Sequence, residues 1–196
     1  MASTSANKKI LLIQGHPNLE SFNFALHQAY KEGAIASGAE VRELILAQMD
    51  FSLNLAQGYQ KRSALEPDLI KAQDDIEWAD HLVIFHPVWW GSVPALLKGF
   101  IDRVFLPGFA FKYRENSLWW DKLLTGRSAR IVSTLDQPAW YYRLRYSRPS
   151  YHSLKQLTLQ FSGFSPVRTS TIGPIKNSSE KFRTSWLQKV KKLGMQ

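Results

Sequence analysis

The stretch KKILLIQGHPNLESFN, residues 8–23, decides the fold. Its apolar run, Ile10 to Ile13 between lysines and Gln14, reads as a strand buried on both faces. Gly15-His16-Pro17-Asn18 breaks the run, and Ser21 then stands where a helix wants a capping hydroxyl. An amphipathic segment over 21–37, closed by Gly38, follows at once. Strand, short loop and helix in that order form the first unit of an α/β protein.

The rest of the chain repeats this unit. Strands are expected at 41–46, 81–85, 129–134 and 167–172, and helices at 67–79, 94–105, 153–161 and 178–193. Pro67 suits a first-turn position, Leu96, Leu97, Phe100, Ile101 and Val104 fall three and four apart, and Asn177 with Glu180 reads as a capping pair. Five strands alternating with helices imply a parallel sheet with helices on both faces. Right-handed crossovers leave few orders, and we expect the α/β, flavodoxin-like order 2-1-3-4-5. Residues 1–7 are expected as a flexible tail and residues 8–196 as a single domain.

In such a sheet, ligands lie beyond the carboxyl ends of the strands, beside the point where strand order reverses. That singles out the loops 15–23, 86–94 and 135–148. In the first, Ser21 and the free N–H groups of its helix suit a single phosphate monoester, with Asn23 and His16 as added donors; the alternative is a helix cap and nothing more. Neither G-x-G-x-x-G nor G-x-x-x-x-G-K-[S/T] occurs. In the second, HPVWWGSVP, two adjacent tryptophans cannot share one core, so one must border a surface or a cavity fit for a flat ring. A hydrophobic plug or a dimer contact would also explain them. The third loop interleaves Trp140, Tyr141, Tyr142 and Tyr146 with arginines, the makings of a nucleotide-binding wall or of a single-stranded nucleic-acid surface. Phe109, Phe111, Tyr113, Trp119 and Trp120 add aromatics that look exposed and suggest a cleft or a subunit interface.

Composition narrows the field. With no cysteine, thiolate chemistry and disulfides are ruled out, and the five histidines show no paired ligand spacing, so no metal is expected. His27 and His81 read as surface or packing residues. A G-x-S-x-G nucleophile elbow is missing. No run approaches the ~20 apolar residues of a membrane span, and without an export signal we expect a cytoplasmic protein in which Asn177-Ser178-Ser179 is no glycosylation site. The net charge of +9 reads as solvated helix faces and attraction for an anionic ligand, since no nucleic-acid-binding motif accompanies it.

GHPxxxSFN at 15–23, PVWWGSVPALLKGFIDRVF at 87–105 and PGFAFxY at 107–113 together resemble the flavodoxin-like NAD(P)H:quinone oxidoreductases, the DT-diaphorase-like family with its short bacterial FMN-binding members. The resemblance spans about residues 8 to 193. It implies that His16, Ser21, Phe22 and Asn23 meet a flavin phosphate, and that Pro87, Val88, Trp89, Trp90 and Gly91 border the isoalloxazine. It places Ser133, Thr134, Leu135 and Asp136 beside the pyrimidine ring. Relatives often carry T-T-G-G there, and the replacement of both glycines puts that backbone path in question. Tyr141 or Tyr142 would supply a hydrogen bond during transfer. The cofactor is expected to be FMN rather than FAD, because the larger FAD enzymes carry a C-terminal extension. NAD(P)H would deliver hydride, and a quinone or similar electron-poor acceptor would then occupy the same place, giving ping-pong kinetics. The resemblance also implies a homodimer. The competing expectation is a regulatory flavoprotein subunit of a potassium-efflux or other membrane partner; a one-electron carrier and a nucleic-acid-binding module rank lower.

Overall fold

A computed structural model describes residues 7–56, 58 and 64–196. The tail expected over 1–7 therefore falls, except for Asn7, outside the described residues, as does most of the connection 57–62. Alternating strands and helices build the order β1 (Lys9–Gln14), α1 (Phe22–Ala36), β2 (Glu40–Ile45), α2 (Pro67–Trp78), β3 (His81–Pro87) and α3 (Ala95–Val104). A small hairpin, β4 (Phe111–Tyr113) and β5 (Trp120–Lys122), precedes β6 (Ser128–Thr134) and α4 (Ala139–Tyr146). A single turn, α5 (Pro149–Tyr151), then widens into a π-helix (His152–Gln160), before β7 (Val167–Ile172) and α6 (Glu180–Gly194).

The main sheet is parallel with order β2-β1-β3-β6-β7, which is 2-1-3-4-5 once the hairpin is set aside. Consecutive residues of each strand point to opposite faces, so each apolar strand serves two cores. Leu11, Ile13, Leu82, Ile84 and Ile131 pack against Leu97 and Phe100 on the α2–α3 side. Ile10, Leu12, Val83, Phe85 and Val132 pack against Leu26 and Val190 on the α1–α6 side. There the helices nearly touch, for a Cβ on Gly33 would lie 2.0 Å from the Lys191 carbonyl oxygen and one on Gly194 2.2 Å from that of Tyr30.

Three expectations are corrected. Residues 139–146, expected as loop, form α4, whose first turn closes when Tyr142 N–H donates to the Pro138 carbonyl. The last helix begins at Glu180 and is capped by Ser179, whose Oγ accepts from Phe182 N–H at 3.2 Å, so Asn177 is no cap. The 109–120 aromatics divide: Phe109 and Phe111 enter the core, while Tyr113 and Trp119 stay exposed. Among the described residues no helix is long and apolar enough to cross a membrane.

Candidate functional site

Where β1, β3 and β6 end, their loops are locked together. Gly15 N–H donates to the Phe85 carbonyl at 2.8 Å, and Val88 N–H to the Thr134 carbonyl at 2.7 Å. Asn23, almost wholly buried, donates from Nδ2 to Thr134 Oγ1 at the end of β6 at 3.2 Å, while its own Oδ1 has no partner among the described residues. Gln14 Oε1 accepts from His16 N–H at 2.9 Å and fixes the start of the first loop. The His16 ring meets the edge of Trp89 at 5.6 Å between centroids, joining the first loop to the second.

At the head of α1, Ser21 Oγ accepts from Phe24 N–H at 3.1 Å. The N–H groups of Phe22 and Asn23 find no acceptor among the described residues and stand at the positive end of a 15-residue helix. His16 Nδ1 accepts from Asn18 N–H, leaving Nε2 as its donor, and partial burial lowers the pKa of the ring. One phosphate group suits this donor set.

The tryptophan segment is a tight two-residue turn. Trp89 and Ser92 exchange backbone hydrogen bonds of 3.0 and 2.9 Å, and Trp90 and Gly91 between them adopt φ of +51° and +74°. The N–H groups of Trp90 and Gly91 are left without acceptors among the described residues. Trp90 is fully exposed and Trp89 half-exposed, as two adjacent rings that cannot share a core must be. Beneath them His86 is buried and neutral: desolvation pushes its pKa down to about 4, against a hydrogen bond to the Pro87 carbonyl.

Between this turn and the segment after β6 lies a cleft of about 540 Å³. Val88, Trp90, Gly91, Leu135, Asp136 and Tyr142 line it, together with Tyr146 of the aromatic third loop and with Gln137 and Pro149, which carry no signal of a site in the sequence. His16, Ser21, Phe22 and Asn23 stand beside the cleft rather than in its wall, and Pro87, Ser133 and Thr134 are buried under it. Ser133 Oγ reaches Thr171 Oγ1, the Leu135 N–H and carbonyl are taken up by Ile172 and Ile175, and Asp136 Oδ1 accepts from Lys176 N–H. That last bond ties the backbone after β6 to the segment after β7. Tyr141 is half-buried between the Trp140 and Tyr146 rings. Tyr142 is a brace: its hydroxyl bonds the Gly91 carbonyl at 3.0 Å and Ser150 at both N–H and Oγ.

A family profile described as flavodoxin-like fold matches residues 8–193. The chain belongs to this family. Rat ribosyldihydronicotinamide dehydrogenase (quinone) is 28% identical over 96% of this flavodoxin-like chain and 93% of its own length. The ribosyldihydronicotinamide dehydrogenase-like protein traD of Penicillium crustosum is 32% identical over 70% of the chain, which spans 61% of that protein. Among solved structures, Smu.1420 of Streptococcus mutans superposes with a TM-score of 0.83 at 30% identity, covering 95% of this chain and 98% of its own. The kinship drawn from residues 15–23 and 87–113 is thus met in flavodoxin-like relatives named as quinone dehydrogenases. A flavin fits the residues present: unpaired N–H groups at α1 for its phosphate, and at the Trp90–Gly91 turn for its ring.

Proposed function

We propose that the chain is a flavin-dependent NAD(P)H oxidoreductase that passes hydride equivalents to a quinone-like acceptor, with FMN as the cofactor. The observation that carries this reading is the pairing of an unsatisfied helix N-terminus with an exposed tryptophan turn at the carboxyl ends of neighbouring strands. Phe22 and Asn23 N–H, with Ser21 Oγ, would hold a phosphate monoester; the chain carries no G-x-G-x-x-G loop for a pyrophosphate, which favours FMN over FAD. Trp90 and Gly91 N–H would hold the ring, and Trp90, Tyr146 and Pro149 would flank it.

Bound FMN would supply the two-electron relay between nicotinamide and acceptor. The chain orients the reactants and excludes water: the apolar faces of Val88, Leu135 and Pro149 line a cleft with room for one flat ring above another. With Tyr142 Oη engaged by Gly91 and Ser150, Tyr141 is the better candidate for a proton-donating hydroxyl. Ser133 and Thr134 would act from below as supports, as would Trp89 and Pro87 within the turn.

A homodimer is part of the reading. A groove of about 520 Å³ runs between α3 and the π-helix, with Phe111, Tyr113, Leu157 and Phe161 in its walls. In the β4–β5 connection Leu118 is almost bare and Trp119 exposed. Apolar surface of this extent on a globular chain suits a second copy.

The test is direct. Purified protein should bind FMN one to one, turn yellow and oxidise NADH or NADPH in the presence of a quinone, with parallel double-reciprocal lines. A colourless preparation that leaves added FMN free would overturn the proposal.

A further inference from the structure

At the amino ends of the strands, the edge of the sheet opposite the cleft, a recess of about 240 Å³ is lined by Lys8, Tyr30, His81, Arg130 and Arg168, closed on one side by the end of α6. Arg130 and Arg168 are direct partners in the β6–β7 register, so both side chains leave the same face of the sheet, side by side. Like charges placed opposite each other on neighbouring strands repel. Arg130 is 93% buried, and its Nε has no hydrogen-bond partner. No Asp or Glu side chain lines the recess; Gln196 lies on its wall, and its main-chain oxygen accepts from Lys8 Nζ at 3.4 Å. Among the described residues neither Arg130 nor Arg168 enters an ion pair. Among the described residues, the other buried arginine and aspartate are matched: Arg103 by Glu66, Asp75 by Arg42 and Lys71.

A buried guanidinium with an idle donor, beside a second arginine and with no acidic side chain to meet either, is built to receive an anion. We infer that this recess is a binding site for a phosphate group, gripped by Arg130 and Arg168, with Lys8 at its mouth. The planar forks of two arginines match the oxygens of a tetrahedral oxyanion, and the volume admits free phosphate or the terminal phosphate of a small metabolite. His81 belongs to the same recess; burial and then the cations Lys8, Arg130 and Arg168 push its pKa down to about 4. The site shares no residue with the cleft and does not rest on the flavin reading.

Thermal unfolding of the full chain in inorganic phosphate, at ionic strength held constant with sodium chloride, tests it, with and without saturating FMN. Phosphate should raise the Tm saturably even when FMN fills the cleft. Arg168→Gln, an exposed position that tolerates change, should weaken the apparent affinity by about tenfold or more. Arg130→Met should abolish the response, and the His81 ring resonances should titrate at higher pH when phosphate is present. A glycerol phosphate arm separates the sources: tighter binding than phosphate marks a phosphorylated metabolite, equal binding marks the free ion. A wild-type response no larger than that to chloride, or an Arg168→Gln response equal to wild type, overturns the inference.

Discussion

The hydroxyl of Tyr142 lies 3.0 Å from the carbonyl oxygen of Gly91, across 51 residues of chain. Through this bond the helix after β6 holds the tryptophan turn, and Ser150 fixes the tyrosine from behind. Tyr142→Phe should destabilise the protein by about 1 kcal/mol, since Gly91 and Ser150 lose a shared partner. Urea unfolding measures this. Because the turn loosens, FMN affinity should fall several-fold while the rate at saturating FMN stays within about twofold; a loss of kcat with intact binding would instead make this hydroxyl a participant in transfer.

Ser21 has two separable duties. Glycine caps a helix almost as well as serine, and alanine does not. Ser21→Ala should therefore cost about 1 kcal/mol of stability and Ser21→Gly a few tenths. Both should weaken FMN binding equally, read by fluorescence quenching, because both lack the hydroxyl. If affinity follows stability instead, Ser21 is a cap alone.

Trp90 stands fully exposed at φ +51°, a backbone region that suits glycine better than any side chain. Trp90→Gly should raise stability by up to about 1 kcal/mol. The same change should weaken flavin and acceptor binding and raise KM. Opposite movements of Tm and affinity are the signature to look for.

Gly33 and Gly194 let α1 and α6 approach backbone to backbone. Since the atoms a new methyl would strike are main-chain carbonyls, the helices must part. Gly33→Ala should cost about 3 kcal/mol, at the upper end for overpacking. A Tm within 2 °C of wild type, about what 0.5–1 kcal/mol would produce in a chain of this size, would contradict the packing described.

Acid stability should depend on Glu43. A hydrogen bond to His27, helped by Lys31 and opposed by burial, holds its carboxyl down to about 2. A carboxyl with a depressed native pKa stabilises the fold above its unfolded value of about 4.3. That stability fades as pH falls from about 4 to 2. Glu43 is partly open to solvent, so screening leaves about 1 kcal/mol. Glu43→Gln should lose this amount at pH 6 and close the gap with wild type near pH 2, measured by urea unfolding at both.

The sheet was legible because its central strands β1 and β3 are contiguous apolar runs, and Ile10–Ile13 admits few other readings. What lacked such a signal was missed. β4 and β5 are three-residue strands among charged and exposed aromatic residues, too short to show alternation. AWYYRLRY has no clear apolar stripe, and it became α4 because its tyrosine rings and Tyr142's brace found partners in the fold. His152–Gln160 reads as an α-helix in sequence; the wider π winding is a tertiary outcome. At the candidate site, residue types marked two of the loops that line the cleft, yet backbone N–H groups carry much of the donor capacity, and these have no one-letter code. Gln137, Tyr146 and Pro149 join the cleft only because α4 folds the third loop back on the second.

Pro149 forms part of the cleft wall, and four residues on, Ser153 begins the wall of the apolar groove. One continuous helical segment is therefore common to both hollows. Should a second copy seat in the groove, self-association and cofactor uptake become reciprocal equilibria: each must tighten the other by the same factor. Dilution would then bleach the protein.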